Sequence, residues 1–370
     1  MQQVDHVVIG AGAMGAATAW ELTRRGRSVA LIEQFGAAHK NGSSHGGTRI
    51  FRLSYRSSLY TDLATLALPD WREMEEATGS HLLEQNGQLD HGYQEAIDDI
   101  ARSLDRHNRS YEQFSPDEAQ ARWPGMNFDS HVLYSPEGGR CFSDKTVSTL
   151  IDQTRILGAD VKLETKVISV ELDGNYAIVE TENQTFRTPS VVVAAGAWVN
   201  KLVGHIVKLP KLVVDAGQPA HFQPSANLAD ETYWPSFLHH GANGRGGSPL
   251  EASAYGLYTP GEGFKIGTWS DREAIDPDNR DFSISEPYLD GMKDYVREWF
   301  PGLDVDSAVA TTCLFTNTPD EHFIIDRKGP ITVCSPCSGH GFKFVPTIGK
   351  MTADLAMGGN QKTPEWRLPS

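Results

Sequence analysis

The run Gly10-Ala11-Gly12-Ala13-Met14-Gly15 has the spacing of a turn that holds a diphosphate. In such a turn the first glycine permits a tight bend and the second lets the backbone approach the pyrophosphate. The third lets the following helix pack on the preceding strand. The helix N-terminus adds free N–H groups and a positive dipole end. Glu33, about 20 residues further on, stands where a carboxylate accepts hydrogen bonds from a ribose. The motif does not by itself decide between FAD and NAD. Lys265 lies in the apolar pattern Gly263-Phe264-Lys265-Ile266-Gly267, where a lysine either snorkels to solvent or is buried for a reason. Cys334-Ser335-Pro336-Cys337 is a CxxC without a second ligand pair for zinc, so these cysteines read as structural and no metal site is expected.

The elements around these residues are legible. Val4 to Ile9 predicts a buried strand, Ala16 to Arg25 a helix stopped by Gly26, and Ser28 to Ile32 a second strand ending at Glu33. Asn41 to Gly47 is a polar glycine-rich loop whose Ser and His side chains either meet a ligand or only satisfy the backbone. Tyr60 to Thr78 predicts a helix containing Pro69, and Ser115 with Glu118 a capping-box helix start. Val147 to Leu157 predicts a further helix. Val161 to Glu180 predicts strands around the turn Asp173-Gly174-Asn175, and Ser190 to Ala194 an apolar strand. Val345 to Met357 predicts a helix with Pro346 in its first turn. From about 204 to 302 the texture is rich in Pro, Gly and aromatics with little βα alternation. That pattern predicts an antiparallel sheet with peripheral helices. His239 to Gly247 is a candidate lid.

The expected fold is α/β: a discontinuous Rossmann-like nucleotide-binding domain (1–82, 142–212 and 308–370) with an inserted antiparallel-sheet substrate domain (83–141 and 213–307). The chain has 370 residues, 39% hydrophobic and 9% aromatic, and a formal net charge of −15. That composition excludes a disordered chain, and the acidity argues against nucleic acid or an anionic membrane as the main partner. No apolar run reaches the roughly 18–20 residues of a membrane span. Val7 to Trp20 lacks the basic flank of a signal peptide. Four cysteines do not make a disulfide framework. A cytoplasmic protein is expected.

At Asn41-Gly42-Ser43-Ser44-His45-Gly46-Gly47-Thr48-Arg49-Ile50-Phe51-Arg52 the sequence resembles the monomeric sarcosine oxidase family, which includes N-methyltryptophan oxidase. Two more blocks carry the resemblance: Cys313 with Thr316 to Asp326, and Ser338-Gly339-His340-Gly341-Phe342-Lys343-Phe344. It implies an FAD-dependent amine oxidase. Such enzymes oxidise the C–N bond of a secondary amino acid to an imine, which water hydrolyses, and O2 becomes hydrogen peroxide. It further implies a thioether from Cys313 to the flavin, a substrate carboxylate held by Arg52 and Lys343, and Lys265 promoting the reaction with O2. His45 and Arg49 would border the flavin ring, with Ser43 and Ser44 on the pyrophosphate or ring and Tyr255 in the active site. Cofactor contacts are also implied at Val167, Gly196, Gly339, Gly341 and Phe342. The N-terminus of the 345–357 helix would face the flavin. The position four after Lys265, often histidine in the family, is Trp269, which implies a reshaped pocket wall. Ser44 likewise stands where histidine is common. Related substrates (fructosyl amino acids, cyclic imino acids) and an FAD amine dehydrogenase that avoids O2 are the alternatives; a monomer is favoured.

Overall fold

The computed structural model describes residues 1–241, 253–269 and 273–369. Segment 242–247 of the candidate lid lies outside them.

A six-stranded sheet forms around His6–Ile9. Its order is Asp160–Lys162, Val29–Ile32, His6–Ile9, Val191–Val193, Ile331–Ser335, Ile324–Lys328. The strands run parallel except for the antiparallel last pair. Fully buried Val7, Val8, Ala30, Leu31, Val191 and Val192 explain the continuous apolar runs, because both faces of a parallel sheet are covered. Helix Ala13–Arg24 lies on one face beside helix Val345–Ala356. A smaller sheet made of Gln2–Gln3, Thr185–Thr188, Tyr176–Thr181 and Val167–Asp173 packs nearby. The turn between its last two strands falls at Gly174, as the sequence predicts. Pro69 is accommodated inside helix Ser58–Thr78, and Ser115 and Glu118 close the expected capping box.

The second large sheet has eight strands in the order Leu303–Ala310, Ala220–Pro224, Gly263–Thr268, Ala254–Thr259, Ser236–His240, Gln88–Gly92, Val132–Ser135, Glu112–Phe114. It is not wholly antiparallel: Ser236–His240 runs parallel to Gln88–Gly92. A parallel pair arises because two chain segments far apart in sequence each enter the sheet from the same end. Strand Leu303–Ala310 runs across the expected boundary at 307–308.

Alternation along this sheet sets its two faces. Phe222, Phe237, Phe264 and Ile266 point to one side. There they form a core with Leu289, Met292, Tyr295 and Val296 of helix Glu286–Trp299. On the other side the register aligns His221 with Lys265, Lys265 with Leu257, Gly267 with Tyr255, and Tyr255 with Leu238. Side chains from four consecutive strands therefore share one face, and His221, Lys265, Leu257, Tyr255 and Leu238 all look into a cavity.

Candidate active site

That cavity has a volume of about 770 Å3. It is bounded by the glycine turn of the six-stranded sheet, the 42–52 segment, strand Cys313–Asn317, the 336–343 segment and the open face of the eight-stranded sheet. Of the site residues expected from the sequence, Gly10, Gly12, Glu33, Ser43, Ser44, His45, Arg49, Arg52, Val167, Gly196, Tyr255, Lys265, Trp269, Cys313, Gly339, Gly341, Phe342 and Lys343 all line it. Gly15 does not. A Cβ there would sit 1.7 Å from the Gly10 carbonyl oxygen, so Gly15 acts by letting helix and turn touch. Gly10 has φ +96°, which only glycine adopts cheaply.

At the nucleotide end, the Glu33 carboxylate accepts hydrogen bonds from the backbone N–H groups of Ala11 (2.8 Å) and Phe35 (3.0 Å). It therefore ties the first turn to the end of the second strand. Helix Ala13–Arg24 has Gly12 at its cap and no side-chain cap of its own. The missing acceptor comes from the 42–52 segment: Ser44 Oγ accepts from the Ala13 N–H at 3.0 Å. The Ser43 hydroxyl donates to the Leu314 carbonyl at 2.6 Å, joining the loop to the strand that carries Cys313. Arg49 donates to the carbonyls of Thr48 and Ser43, each at 2.8 Å, and of His45 at 2.5 Å. One of its nitrogens lies 3.7 Å from Cys313 Sγ.

His45 is buried, and its Nε2 finds no hydrogen-bond partner among the described residues. Burial first, then Arg49, Arg280 and Lys265, push its pKa down to about 3, so it is neutral. Lys265 is buried rather than snorkelling: it is 6% exposed, and Nζ donates to the Thr48 carbonyl at 2.6 Å. Burial and the nearby Arg49 hold its pKa down to about 7, against the opposite pull of Glu262, Cys313 and Asp144.

At the far end, Arg52 and Lys343 converge on Tyr55. The Arg52 guanidinium carbon lies 3.7 Å from the Tyr55 ring centroid and Lys343 Nζ 5.7 Å from it. Lys343 is 5% exposed and donates to the His340 carbonyl at 2.8 Å. Burial, and then Arg52, hold its pKa well below the usual lysine range. No carboxylate pairs with either cation among the described residues. Two cations sharing a desolvated corner without a counter-ion make a receptor for an anion.

Sequence reasoning missed several members. His221 stands across the sheet from Lys265, with Nε2 3.2 Å from a Glu262 carboxylate oxygen. Asp144, in the first turn of helix Ser143–Ile156, lines the cavity with a half-buried carboxyl pushed up by burial. Tyr55 supports the cations from beneath. The only local signals were a polar residue inside the apolar run Ala220-His221-Phe222 and an acid at a helix start.

A family profile described as FAD dependent oxidoreductase matches residues 5–355. Human peroxisomal sarcosine oxidase is 30% identical over 379 residues, covering 98% of this chain and 94% of that protein. Monomeric sarcosine oxidase of Bacillus sp. (strain NS-129) is 28% identical over 368 residues, covering 96% and 93%. Among solved structures, the open form of NikD, an unusual amino acid oxidase essential for nikkomycin biosynthesis, superposes with a TM-score of 0.87. It is 24% identical and covers 98% of this chain and 96% of its own. The residues present fit FAD. Gly10 and Gly12 of the turn line the cavity, where an added Cβ on Gly10 would meet the Ala194 carbonyl at 2.5 Å, the cavity lies within the usual range of about 300–1,000 Å3 for a cofactor site, and its wall carries the Ser43, Ser44 and Arg49 donors. Profile, relatives, superposition and cavity agree that the chain belongs to the FAD dependent oxidoreductase family.

Proposed function

We propose that the protein is an oxidase that converts the C–N bond of a secondary (N-substituted) amino acid to an imine, which water hydrolyses, while O2 becomes H2O2. The observation that carries this reading is the uncompensated pair Arg52 and Lys343 in the same cavity as the dinucleotide turn and Cys313. The sarcosine oxidase names of the relatives support the amine chemistry. FAD, when bound, would supply the acceptor for the two electrons released as the amine becomes an imine and would pass them to O2.

Arg52 supplies a two-pronged donor and Lys343 a point charge for the substrate carboxylate. Seating that end fixes where the amine sits. The amine must arrive neutral to give up the electron pair with its α-hydrogen, so the reductive step accelerates as pH rises through the bound amine's pKa. Lys265, charged below about pH 7, places a fixed cation where negative charge develops on oxygen. Arg49 and the neutral His45 border the ring. Cys313, beside Arg49, is the point of thioether attachment. Gly10, Gly12, Glu33, Ser43, Ser44, Val167, Gly196, Gly339, Gly341 and Phe342 enclose the cofactor, with Gly15 supporting the turn. Tyr255 and Trp269 bound the substrate. The residues 1–82, 142–212 and 308–370 are read as the FAD-binding domain and 83–141 with 213–307 as the substrate domain, with strand Leu303–Ala310 carrying the substrate-domain sheet past 307. A monomer in the cytoplasm accords with this reading.

The test is anaerobic bleaching of the flavin across a panel of N-substituted amino acids, followed by peroxide release on admitting air. Bleaching by a carboxylated secondary amine is expected. If no member of the panel bleaches the flavin, the protein is a flavin carrier without this turnover. Acid precipitation tests the covalent bond: colour stays with the polypeptide, and Cys313→Ser releases it.

A further inference from the structure

The cavity face of the eight-stranded sheet ends in an aromatic wall that anion seating, oxygen reaction and cofactor attachment leave unexplained. Tyr255 lies flat across the neighbouring strand. A Cβ on Gly267, its cross-strand partner, would be 2.5 Å from its ring, so the missing side chain is what lets the ring lie down. Trp269 follows the end of strand Gly263–Thr268, fixed by its N–H donating to the Ser253 carbonyl at 2.9 Å. Its ring meets Tyr255 with centroids 4.8 Å apart at 49°. Phe315 completes the wall at the turn that carries Gly339. A Cβ on that glycine would lie 3.1 Å from the Phe315 ring and 3.7 Å from Trp269 Nε1.

That turn also joins the wall to the anion corner. Gly339 precedes His340, whose carbonyl holds Lys343 Nζ at 2.8 Å. A carboxylate seated at Arg52 and Lys343 therefore has aromatic faces next to it, with Leu238 beside Tyr255 in register. All of these residues line the cavity. Three half-buried aromatic rings from three separate chain segments gathered at one end of the cavity form a surface suited to stacking. N-methylglycine has no group to cover it, whereas an apolar ring covers it, an aromatic one with offset or edge-to-face contacts and a saturated one with its C–H groups on the ring faces.

We propose that Tyr255, Trp269 and Phe315 form a slot for an apolar ring carried by the substrate, so that the preferred substrate is a ring-bearing secondary amino acid and not sarcosine. This rests on the carboxylate-binding reading above. The ring is either a saturated one closed through the amine nitrogen, whose C–H groups pack on the aromatic faces, or an aromatic one pendant on the side chain, which stacks on them.

The test uses the holoenzyme and two readouts. Calorimetric titration compares benzoate with trimethylacetate, which carries the same charge on a bulky group that is not flat. Benzoate is expected to bind about tenfold or more tightly. Trp269→Ala abolishes that difference and Trp269→Phe retains it. Anaerobic bleaching then compares sarcosine, N-methyl-leucine, pipecolate and N-methyl-phenylalanine. A kcat/KM about tenfold higher for one of the two ring-bearing amines is expected, and the more active one tells whether the ring includes the nitrogen. Equal binding of the two carboxylates, a difference that survives Trp269→Ala, or sarcosine as the best substrate overturns the slot while leaving the oxidase reading intact. Failure of every amine to bleach the flavin overturns the oxidase reading and the slot with it.

Discussion

Lys265 and Lys343 share a cavity, yet different neighbours hold them. Lys265 faces Glu262 and Asp144 as well as Arg49, and its pKa falls to about 7, whereas burial and Arg52 hold Lys343 well below the ordinary lysine range. Two consequences can be measured. Between about pH 7 and the ordinary lysine value of 10.5, the unfolded chain binds a proton at residue 265 that the folded protein has lost. The contribution of Lys265 to stability therefore rises with pH across that window, while Cys141, Cys334 and Cys337, whose thiols burial pushes up, oppose it above the ordinary thiol value of 9.0. Thermal melts of holoenzyme between about pH 7 and 9, below the thiol range, should show the rise, with a shallower slope in Lys265→Met; Lys343 contributes in the same direction. The second consequence is kinetic. The rate of the step with O2 falls as pH rises through about 7, and Lys265→Met lowers that rate by about 10²-fold or more, in the range of losing one preorganised charge. Stopped-flow mixing of substrate-bleached enzyme with oxygen reads it. His45 and His221, both held down to about 3 by burial and neighbouring cations, add no limb near 6.5.

At the scale of elements, the start of helix Ala13–Arg24 is completed by another part of the chain. Ser44 accepts the Ala13 N–H, so Ser44→Ala removes a cap and costs about 1 kcal/mol. Chemical denaturation measures that loss, and weaker flavin retention should accompany it in any variant that lacks the thioether. The sequence disclosed the turn and helix because glycine spacing and apolar periodicity are local. It disclosed Glu33 because the acid falls at a fixed interval. It did not disclose the role of Ser44, whose partner is 31 residues away, nor that of Ser43, bonded to Leu314 across 271 residues. His221 and Lys265 were unreadable as a pair for the same reason: their adjacency is a matter of strand register. Cys313, Arg52 and Lys343 were legible through family resemblance, while Tyr55, on which the two cations converge, was not. The parallel pairing of Ser236–His240 with Gln88–Gly92 was also missed, since strand direction leaves no mark in composition.

A three-stranded sheet of Thr48–Phe51, Gly139–Phe142 and Leu83–Glu84 is tied to the eight-stranded sheet at Arg140. This side chain is 1% exposed and reaches Glu84 (2.6 Å), Glu231 (2.8 Å) and the Tyr258 carbonyl (3.1 Å). It thereby joins strand Gly139–Phe142, paired with Thr48–Phe51 of the cavity wall, to the eight-stranded sheet. Both carboxylates keep substantial solvent exposure, which limits the Coulombic share. The larger cost of Arg140→Ala is an emptied, desolvated position whose acceptors lose their donor, about 2–4 kcal/mol in total. A lowered melting temperature with the flavin still attached to Cys313 is the expected outcome. No helix among the described residues is long and apolar enough to cross a membrane.

The order of the six-stranded sheet bears on how the protein comes off the ribosome. Strand His6–Ile9 is synthesised before every other strand of this sheet. One of its neighbours waits for Val191–Val193, and the sheet is complete only when Ile331–Ser335 and Ile324–Lys328 emerge. A nascent chain therefore carries its diphosphate turn exposed and unfinished until those strands emerge, and long-range pairing of this kind closes late. Chains arrested short of residue 324 should capture no flavin, and chaperone occupancy should fall only after the last strand leaves the exit tunnel.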